Sequence, residues 1–342
     1  MKRIIAILLA STLFASNLQA APQSAKTTKP AARISASQKR LNDQLAYAVG
    51  SGDLAKVKNL VARGAQVNAP TISGYSVLSL AAYKGNAPIV AFLASKGANP
   101  RSRDKEGFTP LIYAVKSGQA NAVKAMLNGG APPNASDDLG RTALTHSAFS
   151  RSLSGYINSY KSYLEGKKPT PDMTTGATMA KLLISRGANV NARDKGKATA
   201  LMYAAMLGDA PLVRVLLNAG ANPNLRNYVG GTALMMAVGE GAIMKILLAN
   251  GANVNAKDKG GTTALMRAAE FGQGGNTNGK AALAVKLARI LLDKGANPNG
   301  RRLDGETAYT LAEENHNLQK LLVARGAKKT KAPPLKNNGG FY

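Results

Sequence analysis

The ten residues "GANVNARDKG" at 187–196 return at 251–260 as "GANVNAKDKG", altered only by one Arg/Lys exchange. A segment of this kind is either an accidental copy or one physical unit used repeatedly. The Gly-Ala pairs at 64, 97, 130, 187, 220, 251, 295 and 326 decide for the second, with spacings of 33, 33, 57, 33, 31, 44 and 31. The two long spacings are 33 plus 24 and 33 plus 11. A length of 342 would ordinarily suggest two domains. A period in this range overrides that count, because each unit buries its apolar face against its neighbours rather than in a core of its own. The chain is a one-dimensional array.

Its hydrophobic content of 45% is ample for burial, and 5% aromatics with no Trp leave a core of Leu, Ala, Val, Ile and Met. Such a core suits short, closely stacked helices. The first twenty residues, "MKRIIAILLASTLFASNLQA", have the make-up of a secretory signal: Lys2 and Arg3, an apolar stretch from Ile4 to Phe14, and Ala20 before the cut. An exported protein is expected, periplasmic before fully secreted. There is no Cys, so disulfides and thiolate metal sites are excluded and stability rests on packing. Formal net charge is +27. Residues 21–40 hold five cations and no acid, and residues 328–342 hold four and no acid. Both read as disordered basic extensions flanking an array at 41–327.

Alignment on Gly-Ala brings out a common phrase, as in "DKEGFTPLIYAVKSGQANAVKAMLNGGAPPNAS" (104–136) and "DKGKATALMYAAMLGDAPLVRVLLNAGANPNLR" (194–226). A turn glycine precedes Thr109-Pro110-Leu111, Thr232-Ala233-Leu234 or Thr263-Ala264-Leu265; Thr199-Ala200-Leu201 completes the set. Thr caps a helix start, and Pro costs nothing in a first turn. Leu201, Ala204 and Ala205 follow at helical spacing, then Gly208 ends the helix with a left-handed turn. A second helix presents Leu212, Val213, Leu216 and Leu217 on one face. The phrase resembles the ankyrin repeat over about 41–327. That resemblance implies an all-α solenoid of about eight helix-turn-helix units with β-turn or hairpin tips. Helices 8–10 Å apart would stack to roughly 80 Å, with tips and first helices lining a concave binding face. The chain departs from the family pattern at two places. Ile112, Met202, Met235 and Met266 stand where the family often has His, which implies a loosened loop network, and Lys197 replaces a turn glycine. The outer units carry the polar residues an end needs: Lys56 and Asn59 in the first, Glu313, Glu314, Gln319 and Lys320 in the last.

Two insertions interrupt the period. The longer, near 151–174, replaces a helix-ending glycine with Arg151 and spaces Leu153, Tyr156, Ile157, Tyr160 and Leu164 helically, so the first helix of the fourth unit is expected to continue. Tyr156, Tyr160 and Tyr163 make it either a protruding interaction element or a helix folded back on the array. The shorter, near 273–283, imitates a phosphate-binding loop through Gly274 and Gly279-Lys280. That loop needs a preceding strand and a hydroxyl after the Lys; here a helix precedes and Ala281 follows, so it reads as a flexible turn.

Catalysis needs convergent groups, and the chain offers two histidines, His146 and His316, four units apart. His146 reads as a structural or surface imidazole; His316 reads as an exposed residue at a helix end. Asp104, Asp137, Asp194 and Asp258 repeat at one turn position, where carboxylates bond local backbone N–H groups, so no metal is needed to explain them. Neither an enzyme nor a cofactor is expected. What stands out is a ladder of cations beside those acids: Arg103, Arg193, Arg226, Lys257 and Arg301, with Lys105, Lys195 and Lys259 two positions on. Stacking would align them along the tips, where like charges add into a field that attracts anions. With Tyr75, Phe108 and Tyr228 nearby, this marks the candidate partner surface. The expected function is a monomeric, non-catalytic binder of an acidic protein, of inhibitor, immunity or adaptor type. The alternative is an electrostatic binder of anionic lipid headgroups or cell-wall polymers. Nucleic acid fits the charge but not an exported location, and comes third.

Overall fold

A computed structural model describes residues 35–71, 74–149, 174–273 and 279–331. Among them are fifteen α-helices, one 3-10 turn and no strand. They pair as α1 (Ala36–Ser51) with α2 (Leu54–Ala62), α3 (Val77–Tyr83) with α4 (Ala87–Ser95), and α5 (Pro110–Lys116) with α6 (Ala120–Asn128). Then come α7 (Ala143–Ser147) with α8 (Thr174–Ile184), α9 (Ala200–Met206) with α10 (Ala210–Asn218), and α11 (Ala233–Met236) with α12 (Gly241–Ala249). The array closes with α13 (Ala264–Phe271) and α14 (Lys280–Asp293), then a 3-10 turn, Thr310–Ala312, with α15 (His316–Ala324). First helices stack on first helices and second on second. One buried cluster runs from Leu45 to Ala327.

The sequence phrase explains each element. Thr109, Thr142, Thr199 and Thr263 cap the first helices by accepting the N–H three residues on. Asp53, Asn86, Asp209 and Asn315 cap second helices in the same way. Small side chains at Ala81, Ala114, Ala204 and Ala268 are completely buried, letting successive helices approach closely. Helices this short would not persist alone in water; the stacking stabilises them.

Each tip is a β-turn. In the third unit the Gly107 N–H bonds Asp104 O and the Asp104 N–H bonds Phe108 O. Consecutive tips are then stitched backbone to backbone: Asp138 N–H to Glu106 O, Lys195 to Leu139, Tyr228 to Gly196, Lys259 to Val229, and Leu303 to Gly260. Glycine suits this turn position for two reasons. Gly230 has φ 85°, and a Cβ there would sit 2.8 Å from the Lys259 backbone nitrogen. Lys197 occupies the equivalent place at φ 58°, the one described non-glycine residue with positive φ.

A second stitch joins the segments that follow the second helices. Asn68, Asn134, Asn191, Asn224, Asn255 and Asn299 each donate from Nδ2 to a glycine carbonyl of the next unit. Each also accepts a backbone N–H of that unit on Oδ1. Arg101 stands at this position in the second unit and makes no such clamp.

Several boundaries differ from those the sequence suggested. The array begins at Ala36, not 41, because Ser35 caps α1 and the Gln38 side chain reaches Asn42 and Gly64. At the far end, Lys328 and Thr330 are tied to Asn299 and Thr307, so the described array extends past 327. α7 does not run on toward Arg151: it ends at Ser147, where Ala148 turns back to Thr145. Ser147 and Thr145 supply the reason, being short polar residues that bond helix carbonyls and cap sites in place of extending the helix. Residues 151–173, with Tyr156, Tyr160 and Tyr163, lie outside the described residues. Part of the expected flexible turn, Lys280–Leu283, is helix: α14 spans 14 residues against nine in α12, and its Ala- and Leu-rich start has high helix propensity. His316 opens α15 instead of ending a helix. In the last unit the first helix shrinks to the 3-10 turn, since the Thr310 hydroxyl bonds Thr307 O and the Glu306 carboxylate in competition with helix bonding.

Candidate binding surface: inner face and turn tips

The tip carboxylates do what was expected of them and more. Asp104 Oδ1 accepts the N–H groups of Glu106 and Phe108, Asp137 those of Leu139 and Arg141, and Asp258 those of Gly260 and Thr262. The other oxygen of each carboxylate takes a side chain nine residues on. The Tyr113 hydroxyl donates to Asp104, and Tyr203 to Asp194 at 2.6 Å. His146 Nε2 meets Asp137 at 2.9 Å, and Arg267 Nη2 meets Asp258 at 2.9 Å. The loop network is therefore not loosened by losing the family histidine. It has moved one residue along the first helix, from Ile112 to Tyr113 and from Met202 to Tyr203.

These pairings hold a set of aromatic side chains in line across four units. Tyr75 and Tyr83 approach Tyr113 edge-on, with ring centroids 5.6 and 6.0 Å away. Tyr113 meets Phe108 at 5.7 Å, Phe108 meets His146 at 5.4 Å, His146 meets Phe149 at 6.2 Å, and Phe149 meets Tyr203 at 4.9 Å. The contacts among Tyr75, Tyr83, Tyr113, Phe108 and His146 are edge-to-face, a geometry that fixes ring positions beyond what area burial alone does; the two made by Phe149 are tilted. The Lys116 ammonium lies 4.2 Å from the Phe108 centroid and 5.8 Å from that of Tyr113. Tyr75 and Tyr83 are exposed, while Phe108, Phe149 and Tyr203 are half-buried.

The line has a charged floor. Asp137 accepts from both His146 and Arg141 Nε, the latter at 2.9 Å. Burial alone would raise the Asp137 carboxyl; the His146 and Arg141 contacts outweigh it and hold the group below its ordinary range. Burial lowers His146, with Asp137 opposing only in part. Lys116 is lowered by burial first and then by Arg141. Burial and the adjacent carboxylates push the Tyr113 and Tyr203 phenols well above the usual value. Tyr113 and Tyr203 therefore stay neutral hydroxyl donors at any physiological pH.

Of the residues singled out from sequence, all eight ladder cations are exposed at the tips. They are not equivalent. Arg103 forms an ion pair with Asp138 at 2.8 Å and donates to Ser136 O. Arg193 donates to the Lys197 and Arg226 carbonyls. Lys105, Lys195, Arg226, Lys257, Lys259 and Arg301 form no ion pair among the described residues. Lys259 lies 4.4 Å from the Tyr228 ring centroid. Tyr75 and Phe108 belong to the aromatic line, whereas Tyr228 sits apart at a tip with Lys259. Sequence reading missed Tyr83, Tyr113, Lys116, Phe149 and Tyr203. The signal was present: an aromatic or His nine residues after each tip acid in the third, fourth and fifth units.

In the later units the same inner positions carry Met236 and Arg267, and Arg302 pairs with both Glu270 and Asp304. Among the described residues there is no cluster of three or more potential metal ligands. No helix there is long and apolar enough to cross a membrane.

Comparison with known families matches a three-copy ankyrin-repeat model to residues 45–137, 78–161, 173–227 and 211–279, and a single ankyrin-repeat model to 260–302. No curated protein matches the chain.

Proposed function

We propose that this chain, which belongs to the ankyrin-repeat family, is a periplasmic binder that grips an acidic protein along the inner face of its second to fifth units. Ankyrin repeats generally mediate protein–protein interaction and act as non-catalytic scaffolds, which sets the class. The aromatic line from Tyr75 and Tyr83 to Tyr203, with Lys116 resting on it, is the observation that carries the reading. Rings fixed by edge contacts and buried hydroxyl bonds lose little entropy on binding, and aromatic anchors of this type dominate interface energies. Acidity of the partner is supported by a net charge that stays strongly positive without Lys2 and Arg3, and by half-buried Lys116 against the Phe108 and Tyr113 rings. The apolar, positively flanked start of the sequence supports export, and the protein works as an inhibitor, immunity-type or adaptor partner.

Affinity capture from periplasmic extract, at low and high salt, tests the reading. Wild-type protein should retain a partner of fixed stoichiometry at both. The pair Tyr75→Ala and Tyr83→Ala should weaken retention by about tenfold or more. An unchanged captured set with that double variant rejects the inner face as the binding site.

A further inference from the structure

A different surface carries a second inference. The tips of the fifth to eighth units combine unpaired cations with apolar side chains that nothing covers. Leu303 is 83% exposed, Tyr228 63% and Val229 52%. They occupy the outermost turn positions, and the backbone stitches Tyr228 to Gly196, Lys259 to Val229 and Leu303 to Gly260 hold these turns in one continuous edge. Around them stand Lys195, Lys197, Arg226, Lys257, Lys259 and Arg301, all exposed. Asp194 is buried against Tyr203, and Asp258 is occupied by Arg267 and its own turn; neither opposes this field from the surface. Asp304 does face solvent, where it pairs with Arg302.

We propose that this edge docks on an anionic lipid surface, the cations meeting headgroup phosphates while Leu303, Tyr228 and Val229 enter the interfacial layer. The chemistry favours a membrane over a second protein. A protein anchor would seat in a pocket, whereas these side chains project singly from an edge that can meet a flat surface. Tyrosine is also suited to the headgroup level, with an apolar ring and a wet hydroxyl. Each cation near an anionic leaflet adds to the attraction, and apolar insertion adds a contribution that salt does not screen. The tips of the third and fourth units make an internal control. There Arg103 is paired with Asp138, and the exposed Glu106 stands beside Lys105. This docking is independent of the inner face, so either can fail without the other.

The test is flotation of the full chain with vesicles of phosphatidylcholine alone or mixed equally with phosphatidylglycerol, alongside soluble poly-glutamate. The protein has no Trp, so Leu303→Trp installs a single indole reporter. Binding should require phosphatidylglycerol, and the indole emission should shift to the blue with those vesicles but not with poly-glutamate. Replacing Lys257, Lys259 and Arg301 by Gln should weaken binding by about a hundredfold, since each cation near an anionic surface contributes about fivefold. Leu303→Ser with Val229→Ser should weaken it while leaving the salt slope unchanged. Arg103→Gln with Lys105→Gln, which changes net charge by nearly as much, should have little effect. Equal loss from the third-unit cations and from those of the seventh and eighth units, or binding of poly-glutamate without any indole shift on vesicles, overturns the proposal.

Discussion

The third to fifth units and the sixth to eighth share one backbone plan and present opposite surfaces. In the earlier set the inner face is aromatic and the first two tips are charge-balanced; in the later set the inner face carries Met236, Arg267 and the Arg302–Glu270 pair, and the tips are cationic with bare apolar residues. The difference lies in what each tip acid holds. Asp104, Asp137 and Asp194 hold Tyr113, His146 and Tyr203, whereas Asp258 holds Arg267 and the sixth unit has Asn227, whose Oδ1 serves only its own turn. One repeated scaffold contact thus positions whatever side chain evolution sets nine residues on. The sixth unit also has the shortest described α-helix: α11 is four residues long, and neither Thr232 nor Glu240 makes a side-chain cap bond.

The largest effect that should separate the two sets is in stability. Tyr113→Ala removes a buried ring that four neighbours contact and leaves Asp104 short of a donor. It should cost about 3–5 kcal/mol in urea unfolding, whereas Met236→Ala at the half-buried equivalent position should cost about 1–2. A similar cost at both positions would show that the aromatic line is not a structural unit.

Next in size are the amide clamps. Asn191→Ala removes two bonds to the following unit and should cost about 1–2 kcal/mol, and Arg101→Asn should supply the missing clamp and gain about 1. Paired thermal melts of the two variants would check both signs.

The pH dependence comes third. Burial holds the folded His146 below its ordinary 6.5, so the unfolded chain binds more protons in that window. Its contribution is complete above about 6.5 and is lost as pH falls below it. Asp137, also lowered, adds a loss at more acid pH. Stability should therefore decline from neutral to mildly acid pH, and His146→Gln should flatten the upper part of that decline. Melts recorded across this range with both proteins would decide it. The smallest effect is at Lys197, where glycine relieves a left-handed residue but loosens the unfolded chain; Lys197→Gly should stabilise by about 1 kcal/mol or less.

The parts legible in the sequence were those set by contacts within one unit. The period, the Thr caps, the turn glycines and the Oδ1 role of the tip acids all follow from residues a few positions apart. What escaped depends on the next unit. The quenching of Arg103 comes from Asp138, and the clamp of Asn134 reaches Gly187 across the long insertion. The repeated Asn was visible as a letter, but its bidentate use needs two units in register. The pairing of tip acids with Tyr113, His146 and Tyr203 was hidden because the family pattern carries its His at the preceding position.

Site-specific photocrosslinking tests the central claim most directly, with a benzoylphenylalanine replacing Tyr83 on the inner face or Leu303 at a tip. In living cells position 83 should yield a protein adduct of discrete mass, and position 303 should yield none. Adducts from position 303 with none from position 83 would contradict the division of the array into a gripping face and a docking edge.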